Sequence, residues 1–475
     1  MAENIKKPKD FFEFAKITGA KMVDMKFADL LGTWQHCTYP IETWSEDTFK
    51  EGIGFDGAAM RGWQHVGSTD LMAIPDPSTT QIDPFFKETT LSIIADIFDP
   101  QSKATYERDP RGIAKKAIAY LQQSGIADTC YVGPEPEFFV FDEVGYHQSA
   151  NNSFYNIEST EGSWNKNRIE EPNLGYKPSY KGGFFPVSPT DGSQDLRNEM
   201  VSALRKVDII ASSHHHEVGT GGQCEIGLKH TDLLKMADNF LWYKYIVKNV
   251  AKQHGKTVTF MPKPIYADNG SGMHTHFSLW KNGNSIFSGE KYADLSQEAL
   301  WAIGGVLKHA PAILAFAAPT INSYRRLVPG FESPVNLSYS DSDRSAAIRI
   351  PVYSKKPSTK RFEFRCPDPT NNGYLLFSVV LMAMVDGITN KIDPGNPLDQ
   401  GLFNMSPGEL IETPTVPETL NEALEALEND NDFLTKGNVF STRLIEAYIE
   451  YKRENELNEI ALRPHPYEFF LYYDC

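Results

Sequence analysis

The chain has 475 residues, a net charge of −16 and 23% charged residues, so it is long enough for a large core and more than one domain. The acidic balance argues against a general nucleic-acid binder, which would carry a basic face. The five cysteines are scattered without a C-x-x-C pair, which disfavours a disulfide framework and favours a reducing compartment.

The first hundred residues have the pattern of a small sheet with long loops. Residues 1–9 are polar and lack the apolar core of a signal peptide, so we expect a cytoplasmic protein. Residues 21–27 and 90–96 are predicted to be strands, with glycine and proline punctuating the sequence between them. A domain boundary is expected near residues 99–109.

Beyond this boundary the sequence alternates strands with helices. Asp109 and Pro110 predict the start of a helix that Gly125 ends, and residues 131–141 predict a strand. Residues 145–185 are rich in Asn, Ser and Gly and predict a long functional loop. The longest apolar run, residues 374–385, is too short to cross a bilayer and predicts a buried helix. Further helices are predicted at 195–211, 232–252, 296–316, 373–390 and 417–429, with an exposed, charged helix at 442–455.

Two acids lie two residues apart on the strand predicted at 131–141. Glu135 and Glu137 should point to one face of this strand, and the apolar residues around them indicate that it is mostly buried. Buried acids need partners, and magnesium and manganese prefer oxygen ligands. The two acids could each take a separate metal ion or bridge a pair of ions, whereas a solvated strand face is the alternative.

A second pair of acids follows a run of three histidines. Glycines between Glu217 and Glu225 permit a tight hairpin that sets these acids across from one another. One histidine of the run 214–216 could donate a proton or contact phosphate, but the run alone does not say which. An exposed polar loop is the alternative interpretation.

Residues 269–278 combine a glycine-rich turn with a strand. The glycines let the backbone approach a ligand closely, and strand alternation points His274, His276 and Ser278 the same way. Zinc is disfavoured because neither a cysteine nor a third histidine stands at a suitable spacing. Magnesium or manganese is favoured by the acids elsewhere, and a pair of hydrogen-bonded core histidines is the alternative.

Arginines are concentrated between residues 325 and 365, and guanidinium groups clamp carboxylates and phosphates. Arg361 and Arg365 share a strand face with Glu363 and could instead be its salt-bridge partners. Residues 329–332 suggest a mobile loop over the site. A Walker-type loop is absent from the sequence, and so is a Gly-x-Gly-x-x-Gly motif that follows a predicted strand, so the residues alone predict a two-metal phosphoryl-transfer enzyme. The arginines of this set are Arg325, Arg326, Arg344, Arg349, Arg361 and Arg365.

Eight short segments occur together in a fixed order. They are residues 55–57 (Phe-Asp-Gly), 133–137 (Gly-Pro-Glu-Pro-Glu), 181–183 (Lys-Gly-Gly), 214–218 (His-His-His-Glu-Val), 269–276 (Asn-Gly-Ser-Gly-Met-His-Thr-His), 322–330 (Asn-Ser-Tyr-Arg-Arg-Leu-Val-Pro-Gly), 344–349 (Arg-Ser-Ala-Ala-Ile-Arg) and 361–365 (Arg-Phe-Glu-Phe-Arg). In this order they resemble glutamine synthetase of the bacterial class I type, over residues 21–475. Their joint occurrence is far more specific than any one of them.

The resemblance implies an α+β fold with two domains. A small N-terminal β-grasp-like domain would cover residues 1–106, and a catalytic domain with a curved antiparallel sheet flanked by helices would cover residues 107–475. It also implies a homo-oligomer of twelve subunits in two hexameric rings, with active sites between neighbours. The implied reaction joins ammonia to L-glutamate with ATP, through γ-glutamyl phosphate and two Mg²⁺ or Mn²⁺ ions, and involves neither nucleic acid nor membrane.

The resemblance also implies roles for single residues. The implied ligands of the first metal ion are Glu137, Glu217 and Glu225. Those of the second are Glu135, His274 and Glu363. The residues implied to hold glutamate are Asn269, Gly270, Arg326 and Arg365. Those implied to face ATP and the phosphate in transfer are His276, Ser278, Arg344, Arg349 and Arg361.

Two further acids are implied to serve the chemistry directly. Asp56 would bind ammonium and help to remove its proton before attack. Glu332 would lie on a flap that shields the intermediate from water, because an acyl phosphate hydrolyses easily. The order of events follows from chemistry, since a carboxylate is a poor acyl donor and must first receive a phosphoryl group.

Four residues depart from the pattern of the family. Ala58 and Ala59 stand where relatives commonly have two serines, so a hydroxyl contact to a neighbouring site is lost while Asp56 remains. Ser212 stands where bacterial relatives often carry an acid near the nucleotide, so the resemblance does not fix the details of ATP binding. Phe403 occupies the place of the tyrosine that some relatives adenylylate.

We expect the enzyme to escape adenylylation at position 403, because phenylalanine has no hydroxyl group to modify. Mass spectrometry after incubation with an adenylyltransferase and ATP should therefore show no AMP adduct. Detection of such an adduct would contradict this expectation.

Two other functions are compatible with the same residues. A glutamate–amine ligase of this fold would attach a polyamine or another amine, and Asp56 argues for ammonia instead. A catalytically silent, metal-binding relative is opposed by the complete set of predicted ligands. Activity with glutamate, ATP and a panel of amines would separate these functions.

Overall fold

The computed structural model describes residues 5–63, 70–165, 175–353, 355–399 and 414–475, so Phe403 lies outside the described residues. Within them, the N-terminal sheet consists of β1 Met22–Ala28, β2 Trp34–Pro40, β3 Ile53–Asp56, β4 Asp70–Ile82 and β5 Thr90–Phe98. Its spatial order is β2-β1-β5-β4-β3, with β1 and β5 parallel and the other pairs antiparallel. This arrangement confirms the predicted β-grasp-like N-terminal fold.

The larger sheet carries most of the predicted site residues. Its spatial order is β15-β16-β17-β13-β6-β10-β9, and the pairs are antiparallel except for β15 with β16. The short strands β11 and β12 pair with β6, β14 pairs with β13, and β7 and β8 form a separate hairpin. The strands are β6 Thr129–Phe141, β7 Glu143–Gln148, β8 Ser153–Glu158, β9 Ala211–His216, β10 Gln223–Leu228, β11 Thr231–Asp232, β12 Thr257–Thr259, β13 Met273–Lys281, β14 Asn284–Ser285, β15 Asn336–Ser340, β16 Ala346–Arg349 and β17 Phe362–Phe364.

Helices flank this sheet, and two of them are central to the core. Gln297–Ala317 and Gly373–Asn390 are long and apolar enough to cross a membrane, yet most of each is buried inside the protein. They are therefore core helices, which confirms the buried helix predicted over residues 374–385. The α-helices are Pro8–Thr18, Thr48–Glu51, Pro110–Ser124, Gln194–Lys206, Leu233–Gln253, Gln297–Ala317, Ser323–Arg326, Gly373–Asn390, Leu420–Asn429, Asp432–Thr435, Thr442–Lys452, Asn458–Ala461 and Pro466–Tyr472.

The signals predicted at the two ends of the helix Pro110–Ser124 are confirmed. Asp109 caps the helix Pro110–Ser124 by accepting the backbone N–H groups of Arg111 and Gly112, and Gly125 ends it with a left-handed φ of 70°. The five cysteines are all unpaired.

Three predicted elements are wrong in part. The helix predicted at 195–211 ends at Lys206, because Asp208 turns the chain with a φ of 60° and β9 begins at Ala211. The loop predicted at 145–185 contains strand residues of the β7–β8 hairpin, in which Tyr146 pairs with Tyr155. The helix predicted as exposed at 442–455 buries one apolar face. The buried apolar residues of that face are Leu444, Ile445, Tyr448 and Ile449.

A buried guanidinium fastens the N-terminal sheet to the larger domain. Arg111 donates to Asp96 on β5 (2.7 Å), to Asp76 on β4 (2.9 Å) and to Asp238 on the helix Leu233–Gln253 (3.0 Å). Its side chain is only 3% exposed. Breaking such a group of ion pairs would leave uncompensated buried charges, so the two domains are held firmly together.

A second buried group lies on β1. The Lys26 ammonium is 3.2 Å from Asp24 and 3.0 Å from Asp83. Three aromatic rings surround the same ammonium at 4.5 to 4.9 Å; these belong to Trp34, Trp242 and Tyr245. Because Trp242 and Tyr245 lie on the helix Leu233–Gln253, this cation–π cage also joins the two domains.

We expect Asp24→Asn to lower the free energy of unfolding by about 2 kcal/mol near neutral pH. Burial alone would raise the pKa of Asp24, but Lys26, His36 and Thr38 outweigh it and lower that pKa. A lowered carboxyl pKa stabilises the fold above the unfolded pKa, and this stability is lost as the pH falls through the folded pKa. The deficit of the variant, measured by thermal unfolding, should therefore shrink below about pH 4.

Asp47→Asn is the matched control for this prediction. Asp47 is exposed and lies 3.6 Å from Lys50, so its removal should change stability by less than about 0.5 kcal/mol. An Asp24→Asn deficit that is independent of pH would contradict the electrostatic explanation.

Candidate active site

One cluster of predicted ligands forms where β6, β13 and β17 lie side by side. His274 on β13 is directly opposite Glu135 on β6, and Glu363 on β17 is opposite His276. One ligand atom from each of Glu135, His274 and Glu363 lies within 4.8 Å of the others. This spacing can accommodate one cation with two carboxylate ligands and an imidazole.

The electrostatics of this cluster suit metal binding. Burial alone would raise the pKa of Glu363, but Arg365, His276, His274 and Arg349 together hold that pKa far below its ordinary value. Glu363 accepts hydrogen bonds from Arg365 and, at 2.9 Å, from Arg349. Burial and Arg365 lower the pKa of His274. The acid is thus ionised and the imidazole neutral, which are the forms that bind metals.

A second cluster lies on the other side of β6. One ligand atom from each of His215, Glu217 and Glu225 lies within 4.8 Å of the others. Glu225 on β10 faces His215 on β9 and Glu137 on β6, so Glu137 borders the cluster. Sequence reasoning left the choice among the three histidines open, and the structure brings His215 to the acids.

Glu137 is held in place by neighbours that sequence reasoning did not identify. Its Oε2 accepts a hydrogen bond from Gln223 Nε2 at 2.9 Å and another from the backbone N–H of Gly272 at 2.9 Å. Gln223 is fully buried, and it also donates to the Gly270 carbonyl at 3.0 Å. The only sequence signal for Gln223 is its place two residues before Glu225 on the same strand face.

Burial and mutual repulsion disfavour the ionised forms of the acids in the second cluster. Burial followed by repulsion from Glu217 and Glu225 raises the pKa of Glu137, and burial followed by repulsion from Glu135 raises the pKa of Glu225. Burial also raises the pKa of Glu217. Without a counter-charge these carboxyls tend to hold protons, and a divalent cation would displace them.

A chain of hydrogen bonds leads from Glu135 to the arginines. His276 Nε2 lies 3.1 Å from Glu135, and its Nδ1 accepts from Arg361 Nε at 3.1 Å. The Nδ1 atom accepts from a guanidinium, so the imidazole proton belongs on Nε2 and is donated to Glu135. Arg361 also donates to Tyr353 at 2.6 Å. Ser278, two residues after His276, instead accepts from the indole of Trp280 at 3.0 Å.

The predicted glutamate residues surround a tight turn. Asn269 donates to Glu332 at 3.0 Å, while its own side-chain carbonyl oxygen is buried and has no hydrogen-bond partner among the described residues. A Cβ on Gly270 would lie 2.3 Å from the Pro262 carbonyl, so only glycine fits. Arg326 packs against this turn and donates to the backbone carbonyls of Arg365 (3.1 Å) and of Cys366 (2.9 Å).

The three predicted catalytic residues, Asp56, Glu332 and Arg344, are all exposed. Asp56 ends β3 in the N-terminal sheet, and in the part of the chain that the structure describes its carboxylate accepts from the Ala58 N–H at 2.9 Å. Among the described residues, neither acid cluster includes Asp56. Arg344 is also exposed, and its carbonyl accepts from Arg365 Nε at 3.2 Å. Ser212, the departure near the nucleotide, is exposed at the start of β9.

Comparison with known proteins places these features in a family. The protein-family model of the glutamine synthetase catalytic domain matches residues 107–472. The family model of the glutamine synthetase β-grasp domain matches residues 19–100. The glutamine synthetase of Microchaete diplosiphon is 52% identical over 98% of this chain and 99% of its own length. That of Mycobacterium tuberculosis is 49% identical over 99% of both chains.

Solved structures show the same similarity. The glutamine synthetase of Plasmodium falciparum superimposes with a TM-score of 0.89 at 30% identity, over 98% of both chains. A complex of GmaS with ADP superimposes with a TM-score of 0.82 at 27% identity, over 98% of this chain and 100% of the other.

Two groups of acids on neighbouring strands, bordered by arginines, are of the kind found in enzymes that use divalent cations. Both domain models match in order, and relatives at about half identity span almost the whole chain. The chain belongs to the glutamine synthetase family. It is a glutamate–ammonia ligase that uses ATP, and these relatives do not favour an amine ligase or a silent metal-binding protein.

Proposed function

We propose that this ligase makes glutamine in two chemical steps at two neighbouring metal sites. In the first step the γ-carboxylate of glutamate attacks the γ-phosphorus of ATP, and ADP leaves. In the second step ammonia attacks the γ-carbonyl carbon of γ-glutamyl phosphate, and phosphate leaves with the acyl C–O bond broken. The observation that carries the proposal is the pair of acid clusters on the two sides of β6.

The donor sets support Mg²⁺ or Mn²⁺ at both sites. Each cluster offers two carboxylates and one imidazole, which suits cations that prefer oxygen ligands better than it suits zinc. Glu135, His274 and Glu363 would hold one ion, and Glu137, Glu217 and Glu225, with His215 beside them, the other. Bound there, the two cations would neutralise the charge that develops on the phosphoryl group during transfer.

The remaining residues would orient the substrates. The phosphoryl group would lie beside the Glu135–His274–Glu363 cluster. Arg349, at the end of β16, and Arg361, just before β17, extend toward this cluster. Arg344 would enter from the exposed segment before β16. When a cation holds Glu135, the Nε2–H of His276 would turn from that carboxylate to the phosphoryl oxygens, while Arg361 keeps the imidazole in place. Ser278 would face the bound ATP.

Glutamate would lie against the turn that begins at Asn269. The side-chain carbonyl oxygen of Asn269, which has no hydrogen-bond partner in the part of the chain that the structure describes, would accept from an ammonium group, and the approach of Gly270 to Arg326 keeps the turn narrow. Arg365 would face the substrate carboxylate, while Arg326 holds the backbone carbonyls of Arg365 and Cys366.

Two features support an oligomer with shared sites. Asp56 is exposed and lies on its own N-terminal sheet, so a neighbouring subunit could present it to the acid clusters. The C-terminal helix Pro466–Tyr472 exposes apolar rings, including Phe470 at 85% exposure, which a partner subunit would cover. We therefore propose the dodecamer of two hexameric rings, in the cytoplasm, with domains at residues 1–106 and 107–475.

Isotope exchange tests the first chemical step. In ATP that carries ¹⁸O at the βγ-bridge, reversible transfer to glutamate should move this oxygen to a non-bridging β-position when glutamate is present and ammonia is absent. Phosphate release should be slow under these conditions and should rise sharply when ammonia is added. Normal glutamine synthesis without glutamate-dependent exchange would contradict the intermediate.

A further inference from the structure

Residues 329–332, called the flap here, lie beside the Asn269 turn and carry an aromatic ring between two cations. The Lys263 ammonium is 3.8 Å from the centroid of the Phe331 ring, and the Lys181 ammonium is 4.1 Å from it. Both distances are well within the range of a cation–π contact. The two lysines come from different loops, so the ring of Phe331 connects the flap to two separate parts of the catalytic domain.

The two lysines belong to one hydrogen-bonded frame. The backbone N–H of Lys181 donates to the Thr220 hydroxyl at 3.0 Å, and the N–H of Thr220 donates to the Asp268 carboxylate at 2.8 Å. The Lys263 ammonium donates to the backbone carbonyl of Asp268. Thr220 and Asp268 are both buried. The cations that hold Phe331 are therefore positioned by the body of the domain and not by the flap.

The next residue places the flap against the substrate turn. Glu332 has a left-handed φ of 54°, which is uncommon for a residue other than glycine. Its carboxylate accepts a hydrogen bond from Asn269 at 3.0 Å. A strained backbone persists only where surrounding contacts hold it, and Phe331 supplies such contacts immediately beside it.

We propose that Phe331 is a positioning residue whose cation–π contacts with Lys181 and Lys263 keep the flap closed while γ-glutamyl phosphate is present. This inference rests on the two-step reaction proposed above. When the flap is closed, Glu332 remains on Asn269 and water is excluded from the acyl phosphate. When it opens, water attacks the γ-carbonyl carbon in place of ammonia, the acyl C–O bond breaks, and glutamate and phosphate are released. The net reaction is then hydrolysis of ATP without glutamine.

The test is the ratio of phosphate released to glutamine formed. In the wild type this ratio should be close to one. Phe331→Leu keeps an apolar side chain but removes the ring, and it should release phosphate in the absence of ammonia roughly tenfold faster, because two cation–π contacts are lost. The double variant Lys181→Met with Lys263→Met should behave in the same way, since it keeps the aliphatic stems and removes both cations.

Three controls separate this role from a general structural one. Phe331→Tyr keeps the ring and should retain a ratio near one. Lys391→Met removes a cation 5.7 Å from the ring of Trp301, outside the site, and should also leave the ratio unchanged. Thermal unfolding of each variant reports whether it folds. If the double lysine variant does not fold, the two single variants, Lys181→Met and Lys263→Met, are tested in its place.

Two results would overturn the proposal. One is a ratio of phosphate to glutamine near one in both Phe331→Leu and the lysine variants. The other is a raised ratio in Phe331→Leu but not in the lysine variants, since that would show that the cations are not involved. Failure of the underlying function is distinguishable, because it would appear in the wild type as absence of glutamate-dependent isotope exchange.

Discussion

Glu363→Gln should reduce turnover by roughly a thousandfold or more. Glutamine keeps the shape of the side chain but removes the charge that faces His274 and Glu135 across the first cluster. Arg349 and Arg365 would also lose the carboxylate that accepts their hydrogen bonds, so the site would gain uncompensated positive charge. Steady-state rates with saturating ATP, glutamate and ammonia measure this loss.

A second readout ties the loss to the metal. Titration with Mn²⁺, followed by its electron paramagnetic resonance signal, should show one class of site weakened by at least about tenfold and the other little changed. Glu298→Gln is a suitable control because Glu298 is an exposed residue on a helix outside both clusters. Wild-type turnover in Glu363→Gln would refute the assignment of this acid.

Asp56→Ala alone should lose roughly a hundredfold in turnover, yet it should recover activity when mixed with Glu363→Gln subunits. The reason is geometric, because Asp56 and Glu363 would contribute to the same site from different subunits. In a randomly mixed assembly about a quarter of the sites would pair an intact N-terminal domain with an intact acid cluster. Mixing after dissociation, followed by an assay of glutamine synthesis, measures this recovery.

Native mass spectrometry provides the control for this experiment, since it shows whether mixed assemblies have formed. Each variant dissociated and reassembled alone should show no more than its own residual activity. Mixed assemblies that contain both variants but show no recovery would mean that Asp56 does not complete a neighbour's site.

Local spacing predicted much of the site because the relevant geometry is local. Glu135 and Glu137 are on one strand, and the register of β13 and β10 places His274 beside one and Glu225 beside the other. The bounds of Gly373–Asn390 followed from continuous apolar character. The assignment of both acids to separate metal ions remains a prediction.

Other features could not be predicted because they depend on the register between strands and on contacts between segments that are distant in the sequence. Selection of His215 from three histidines is determined by the register of β9 on β10. The burial of Gln223 beneath Glu137 and the placement of Phe331 between two lysines require contacts between distant segments. Asp208 turned the chain where the apolar pattern continued into Ile209 and Ile210, so the predicted helix was too long.

The Arg111 network has a consequence for behaviour in concentrated electrolyte. Dissolved ions weaken an ion pair only where they can approach it, and the screening length falls to about 3 Å at 1 M salt. The Arg111 side chain is inaccessible to such ions. Pairs on the surface, such as Lys50 with Asp47, should therefore loosen as ionic strength rises, while the N-terminal sheet stays docked on its own catalytic domain.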